Sequence, residues 1–502
     1  DVITRARAHE LLVESVGETA SFRPQQWEAI NRLANYRQKL LLVQQTGWGK
    51  STVYFITTKA LREHGAGPTL IVSPLLSLMR DQMKNAQTQL GLTANTITSD
   101  NRGEWNTIYN NIRTGECDVV LVSPERLQNT EFRENVLYEL NGEFGMLVID
   151  EAHCISDWGH DFRPDYKRVS ELVTELPDNT PVAATTATAD NRVIDDVTQQ
   201  LSGLQLIRGE LVRDSLRIQA IDVGSRAKRL AWLAENLPRN DASGIIYCLT
   251  KTDVNRVSTW LSDHGCSVKP YHGDVPSSER RSREQALLNN DVDALVATNA
   301  LGMGFNKPDL NYVIHFQRPP NVIRYYQEIG RAGRDIDVAD AVVLSGAYDD
   351  TVAGYFINSA FPSGRDVYVT LTVIETCTDP VSIPMLFDTV SDVDSFTSDV
   401  EQCVGILEGE GMIRDTGDGY VRTNKEWSYL PKNFDRITQQ RRDELRTMQE
   451  FVETDDCLAL FIDERLDGEM TEPCGQCANC NSALYPEKVR DESLIVDAKS
   501  LY

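Results

Sequence analysis

Three short segments in this chain carry side chains able to handle a nucleoside triphosphate. The first, Gln44-Gln45-Thr46-Gly47-Trp48-Gly49-Lys50-Ser51, follows an apolar run and opens a helical one. Glycines there let backbone amides close around phosphate oxygens, Lys50 can reach the β and γ phosphates, and Ser51 can offer its hydroxyl to Mg²⁺. Gln44 stands where the strict pattern has its first glycine. The second segment, Asp150-Glu151-Ala152-His153, follows Met146-Leu147-Val148-Ile149, so both carboxylates are expected at the carboxyl end of a buried strand, where parallel sheets carry their chemistry. Asp150 would hold Mg²⁺ and Glu151 would orient and deprotonate a water. The third, Gln327 to Asp335, carries Arg331 and Arg334 three residues apart, and we expect them on one face at the start of a helix. Guanidinium groups there suit the charge that develops on a transferring phosphoryl group.

A fourth constellation is metallic. Cys457, Cys474, Cys477 and Cys480 have the spacing C-x16-C-x2-C-x2-C, enough to close a four-thiolate site. Zn²⁺ is favoured. An iron-sulfur cluster also uses repeated C-x2-C, but usually with its fourth cysteine downstream before a proline. The other six of the ten cysteines are scattered singly and read as small buried hydrophobes, too dilute for a disulfide scaffold.

Elements must bring these segments together. Apolar strand-like runs alternate with amphipathic helical segments over two stretches, as parallel sheets with crossover helices require. In the first, Leu40–Gln44, Thr69–Ser73, Val119–Ser123, Met146–Asp150 and Val182–Thr185 read as strands. In the second, Gly244–Cys248, Ala294–Thr298, Tyr312–Phe316 and Ala341–Leu344 do so. The expected fold is therefore α/β, with parallel-sheet domains at 1–205 and 206–347. Three helices at Asp366–Cys377, Ile383–Val390 and Phe396–Gly409, then a hairpin around Gly417-Asp418-Gly419, suggest a winged helix over 362–425. A long helical stretch, Phe434–Leu466, leads into the cysteines of a module at 426–485, and 486–502 reads as a tail.

At 502 residues the chain is too long for one core. Its composition is that of a globular protein, with 41% hydrophobic and 25% charged residues. No apolar run would span a bilayer, and no leader is visible before Glu10, which points to the cytoplasm. The formal charge of −25 runs against a phosphate-gripping surface, but basic residues need line only one channel. With 37 Arg against 13 Lys, the balance matches proteins adapted to high salt, and we expect activity to persist in molar KCl.

Further segments fall into the same order as these motifs: Phe22-Arg23-Pro24-Gln25-Gln26, Val72-Ser73-Pro74 through Gln82, Val122-Ser123-Pro124-Glu125-Arg126-Leu127, and Asp150 to Tyr166 with Trp158, Phe162 and Arg163. Together they resemble the RecQ family of superfamily 2 helicases. The resemblance continues through Ala184 to Ala189, Gly244 to Cys248 and Ala297 to Arg334, and covers roughly residues 20 to 345. It implies two tandem RecA-like domains and a helical zinc-binding module. It also implies that Arg23 and Gln26 read adenine beside Thr46, Gly47, Trp48 and Gly49, and that Arg331 and Arg334 are arginine fingers. Ser73, Pro74, Ser123, Arg126 and Thr298 would track nucleic acid, while Trp158, Phe162 and Arg163 would sense single strands by stacking and phosphate contact. Three features depart from the family pattern. No aromatic residue lies in Gly17 to Ser21, Trp48 replaces a usual glycine, and the three-helix segment precedes the cysteines instead of following them.

The implied activity is an ATP- and Mg²⁺-dependent DNA helicase moving 3′ to 5′ on single-stranded, forked or duplex DNA in repair or recombination. A translocase that does not unwind, an ATP-gated binding module and an RNA substrate are the competing readings. Tyr420, beside the hairpin turn, is a candidate strand-separating wedge.

Overall fold

The computed structural model describes residues 1–74, 83–84, 86–140, 143–156, 166–188, 190–238, 242–302, 305–359, 362–409, 411–425 and 431–502. Among these, two parallel sheets stand in tandem. The first is built from β1 (Lys39–Val43), β2 (Thr69–Val72), β3 (Ala94–Ile97), β4 (Val119–Val122), β5 (Met146–Ile149), β6 (Val182–Thr186) and β7 (Gln205–Arg208), in the order β3-β4-β2-β5-β6-β1-β7. The second has β8 (Leu216–Asp222), β9 (Gly244–Tyr247), β10 (Val268–Tyr271), β11 (Ala294–Ala297), β12 (Tyr312–His315) and β13 (Ala339–Ser345), in the order β10-β11-β9-β12-β13-β8.

The central strands are apolar throughout because crossover helices cover both faces of each sheet. In β1, Leu41 and Val43 pack with Ile108 and Phe132 on one face, and Leu40 and Leu42 pack with Tyr54 and Phe55 on the other. Parallel pairing puts the carboxyl ends of β1, β5 and β6 on one side of the sheet, so Gln44 emerges beside the end of β6 and Asp150 beside Thr185.

Two expected boundaries need correction. The division at 205/206 falls inside the first sheet, because β7 pairs with β1 from Leu40↔Gln205 to Val43↔Arg208; the link between the sheets is the stretch from Gly209 to Ser215. The cysteine module, expected as a unit apart, shares a hydrophobic core with one face of the second sheet. Phe451 lies 5.1 Å from Tyr325 and 5.5 Å from Phe461, with Met448, Leu458 and Ile462 buried beside them. The long helix expected over 434–466 is broken at Thr454–Cys457 into Pro431–Glu453 and Leu458–Arg465. The tail contains a helix, Glu492–Lys499, packed on Arg226–Asn236 and held where the Arg490 and Asp491 amides donate to Glu235.

Between second sheet and module lie helices Gly364–Thr376, Ile383–Ser391 and Val400–Gly409, with β14 (Ile413–Asp415) antiparallel to β15 (Tyr420–Arg422). Val367, Leu371, Leu386, Val404 and Leu407 form their core. The third helix starts four residues later than the sequence suggested, because Asp366 captures the Thr397 and Ser398 amides at 3.1 and 3.0 Å and keeps them out of the helix. Tyr420 is half-buried against this core, and its backbone exchanges hydrogen bonds with Val381 at 2.9 and 3.0 Å. It is not a freely projecting wedge, and the exposed turn beside it carries Asp415 and Asp418.

Candidate nucleotide site and cysteine cluster

The phosphate loop is shaped by Gly47 and Gly49, both left-handed at φ 82° and 99°, and it feeds helix Lys50–Glu63. A Cβ at Gly49 would meet a strained backbone and sit 2.5 Å from Gln26 Nε2, so a side chain there would push the Gln26 amide off the Trp48 carbonyl. Gln26 donates to the Trp48 carbonyl at 2.7 Å and accepts from the Arg23 amide at 2.8 Å, while the Arg23 guanidinium donates to the Gly47 carbonyl. The two residues expected at the adenine thus brace the loop from behind. Trp48 turns inward, buried in the core, with its indole N–H on the Pro24 carbonyl at 3.1 Å. Where the family pattern has glycine, this chain has a side chain that anchors the loop.

Lys50 Nζ donates to the Gln44 and Gln45 carbonyls at 2.7 and 3.3 Å. Burial draws its ammonium down to about 8, with Glu151 and Asp150 opposing and Arg334 and Arg213 adding to the fall. Asp150 is held on three sides: Thr185 and Ser73 donate to its carboxylate at 2.9 and 3.3 Å, and the Tyr166 hydroxyl donates to its carbonyl at 2.8 Å. Glu151 occupies the left-handed region at φ 51°, ψ 49°, a placement that costs a non-glycine residue roughly 1 to 2 kcal/mol. Its Oε2 lies 3.3 Å from His153 Nδ1, and His153 in turn meets Thr186 Oγ1 at 2.9 Å. Ser51 stands at the first turn of the helix, its hydroxyl 3.1 Å from Tyr54 OH.

The two arginines of the second sheet part company. Helix Val322–Ile329 ends before them, so they lie in turns with Gly333 at φ 68°, and the shared helical face expected from their spacing does not exist. Arg334 reaches across to the phosphate loop, its Cδ 3.2 Å from where a Cβ on Gly47 would be. Arg331 is buried in its own lobe and donates to the Phe305 carbonyl at 3.2 Å. A further residue, invisible in the motif reading, is Arg213 in the interdomain link. It donates to Gln45 Oε1 at 2.9 Å and to the Thr46 carbonyl on one lobe, and to the Gly330 and Ala332 carbonyls at 2.9 and 2.7 Å on the other. No motif flags a lone arginine in a link; only its position in space does. Burial draws Arg334 down to about 9 and Arg213 to about 10, with neighbouring guanidiniums adding to both falls. So much crowded positive charge at one loop is a site for a polyanion.

Of the residues expected along the nucleic-acid track, Ser73 and Pro74 are buried, and Ser73 gives its hydroxyl to Asp150 instead. Thr298 is buried as well and accepts from the Ala300 amide at 3.3 Å. Both turn inward because they close the strand ends that carry the site. Ser123 and Arg126 remain half-exposed, with Arg126 stacked 4.7 Å over the ring of Trp105. Trp158, Phe162 and Arg163 lie outside the described residues.

The four cysteines converge, with every Sγ within 4.8 Å of the others. Backbone amides of Cys474, Cys477 and Leu460 point at sulfur atoms at 3.2, 3.3 and 3.5 Å, as thiolates require.

Two parallel-sheet lobes, with a phosphate loop on one and an arginine reaching it from the other, define a two-lobed nucleotide-binding architecture. Residues 23–197 match the DEAD/DEAH box helicase family and 228–335 the helicase conserved C-terminal domain. Over about two thirds of its length the chain is similar to RecQ helicases. It is 36% identical over 66% of its length to "ATP-dependent DNA helicase RecQ" of Haemophilus influenzae, covering 52% of that protein. To the protein of the same name in Bacillus subtilis it is 34% identical, over 70% of this chain and 58% of that one. The chain therefore spans about half the length of the curated relatives it matches. The fold also resembles the Mycobacterium smegmatis helicase Lhr bound to ssDNA and AMP-PNP, with a TM-score of 0.55 and 18% identity over 84% of this chain and 61% of that one. Among the described residues no helix is long and apolar enough to cross a membrane.

Proposed function

We propose that the protein is an ATP- and Mg²⁺-dependent DNA helicase that hydrolyses ATP in the cleft between its lobes, translocates 3′ to 5′ and unwinds DNA in the cytoplasm. The carrying observation is Arg334 of the second lobe packed against Gly47 of the first, within electrostatic reach of Lys50. Lys50 neutralises the β and γ phosphates, Ser51 and Asp150 hold Mg²⁺, Glu151 positions the attacking water, and Arg334 stabilises the transferring phosphoryl group. Arg331 enters the site only if its turn rearranges on closure. Arg126, beside Ser123, meets the phosphates of the bound strand, with Trp158, Phe162 and Arg163 as further contacts.

A single zinc ion in the cysteine cluster completes the reading. Tetrahedral thiolates around one Zn²⁺ stand about 3.8 Å apart, given Zn–S bonds of about 2.3 Å. The 4.8 Å limit on the sulfur spacing suits that. A cluster of several irons would hold the sulfurs farther apart.

The test is ATP hydrolysis and strand displacement on forked, single-stranded and RNA substrates. Single-stranded DNA should stimulate hydrolysis, forked DNA should be unwound, and Lys50→Ala should abolish both. Stimulated hydrolysis without strand separation would leave a translocase, and binding without turnover would leave a gated clamp. The pH dependence is also set. Triphosphate binds the charged form of Lys50, whose ordinary charge is lost near pH 8 in the free protein, so kcat/KM for ATP should fall as pH rises above about 8. A flat profile to pH 10 would remove Lys50 from that role.

A further inference from the structure

Arg213 is the one described side chain in the link between the lobes whose guanidinium hydrogen-bonds to both, donating to Gln45 and Thr46 on the first and to Gly330 and Ala332 on the second. All these acceptors lie in the phosphate loop or in the turn that carries Arg331 and Arg334. The link is stitched to the second lobe on either side of Arg213: the Leu211 carbonyl accepts from the hydroxyl of Tyr326, in the helix that leads into the turn, at 2.7 Å, and Ser215 Oγ donates to the Gly333 carbonyl of the turn itself at 2.6 Å. From the opposite direction, Gln476 sits between Cys474 and Cys477 and donates through Nε2 to the Asp214 carbonyl at 2.5 Å and to Leu216 at 3.2 Å. The Ala478 amide continues the contact, donating to the Ile218 carbonyl at 2.9 Å.

We propose that Arg213 is a positioning residue that locks the arginine-bearing turn of the second lobe to the phosphate loop of the first, and that Gln476 sets its place, coupling the cysteine module to the nucleotide cleft. This rests on the motor reading above. A guanidinium is the fitting group, because its five donors in a fixed plane can serve four acceptors on two bodies at once, whereas an ammonium on a flexible stem cannot. Arg213 touches no reacting atom. It acts through Arg334, whose reach to Gly47 depends on the turn staying where Arg213 holds it. Gln476 acts one step further back, through the backbone on each side of Arg213.

The experiment uses the full chain with Arg213→Ala, Arg213→Lys and Gln476→Ala, and reads kcat and KM for ATP with saturating single-stranded DNA alongside melting temperature. Arg213→Ala should lower kcat by about 30- to 100-fold with KM within about 3-fold, the split expected when closure of the site and not its first contact with ATP is lost. Arg213→Lys should recover less than about a third of wild-type kcat, and Gln476→Ala should lose about 5-fold. Melting temperatures should stay within about 2 °C of wild type, since no core is disturbed. A kcat within 2-fold of wild type in Arg213→Ala, or a full rescue by lysine, would overturn the proposal. A second arm does not depend on turnover: dyes at positions 36 and 288, exposed on the two lobes, report lobe spacing with AMP-PNP and DNA. Wild type should give one narrow distance distribution and Arg213→Ala a broad one. Identical distributions would refute the lock even if the protein hydrolyses nothing, and a narrow-to-broad change in a protein without ATPase activity would uphold the lock while discarding the motor.

Discussion

Glu151→Gln is expected to lower DNA-stimulated ATP hydrolysis by about 10³-fold while leaving ATP and DNA binding within about 2-fold of wild type. The substitution exchanges one carboxylate oxygen for an amide nitrogen and changes no volume. The left-handed backbone at φ 51° is therefore kept, and with it the direction of the side chain. What changes is chemistry: a carboxylate can take the proton of the attacking water, and an amide cannot. Asp150 serves as the contrast. Its carboxylate is fixed by Thr185 and Ser73, so Asp150→Asn should weaken Mg²⁺-dependent nucleotide binding as well as turnover. Single-turnover hydrolysis and fluorescent-nucleotide titration separate the two. Retention of more than a tenth of wild-type kcat in Glu151→Gln would assign the water-positioning role elsewhere.

The second large effect is expected from Cys477→Ser. Cys477 is fully buried, its sulfur lies within 4.8 Å of three others, and it stands in the same core as Tyr325, Phe451 and Phe461. Serine is nearly isosteric but a poor zinc ligand, so the variant should fall from one zinc per chain to near none. Bound zinc contributes on the order of 10 kcal/mol to the folding of small sites of this kind. Part of that is lost to residual burial, and a fall in melting temperature of more than 10 °C is expected, with limited proteolysis opening first between Thr454 and Cys480. Chelation of the wild-type protein should give the same result, while Cys377→Ser, at an exposed and isolated cysteine, should change neither metal content nor melting. Iron in the purified protein, or an unchanged melting temperature in Cys477→Ser, would contradict a structural zinc.

What the sequence discloses follows from where each strand lies. The nine strands legible as apolar runs are central, or lie one place in from the edge, and are covered on both faces. The four that are not legible, β3, β7, β8 and β10, are the outermost strands of the two sheets. They carry Asn95, Gln205, Arg217 and Lys269 with Pro270, because one margin of an edge strand faces solvent and polar residues there discourage unwanted pairing. The candidate nucleotide segments are legible because backbone geometry fixes their residue types: Gly47 and Gly49 for a tight loop, Asp150 and Glu151 at a strand end. The roles of Arg331 and Arg334 were less so, since spacing of three implies a shared face only within a helix, and the helix stops at Ile329. Ser73 and Thr298 are expected on the nucleic-acid track from the resemblance alone, and motif position says nothing of which way a hydroxyl turns. Arg213 left no local signal, because its meaning comes from two lobes separated in sequence by more than a hundred residues.

The common core of the second sheet and the cysteine segment also bears on inheritance. Tyr325, Tyr326 and Ile329 precede Phe451 and Phe461 by more than a hundred positions, yet each side leaves greasy surface bare without the other. Recombination that carried the second sheet into a new gene without the thiolates would deliver a sticky, half-finished body. The span from Leu216 to Cys480 is thus expected to be inherited together, within which the three-helix segment, having its own interior, is the portion whose change leaves that shared core untouched.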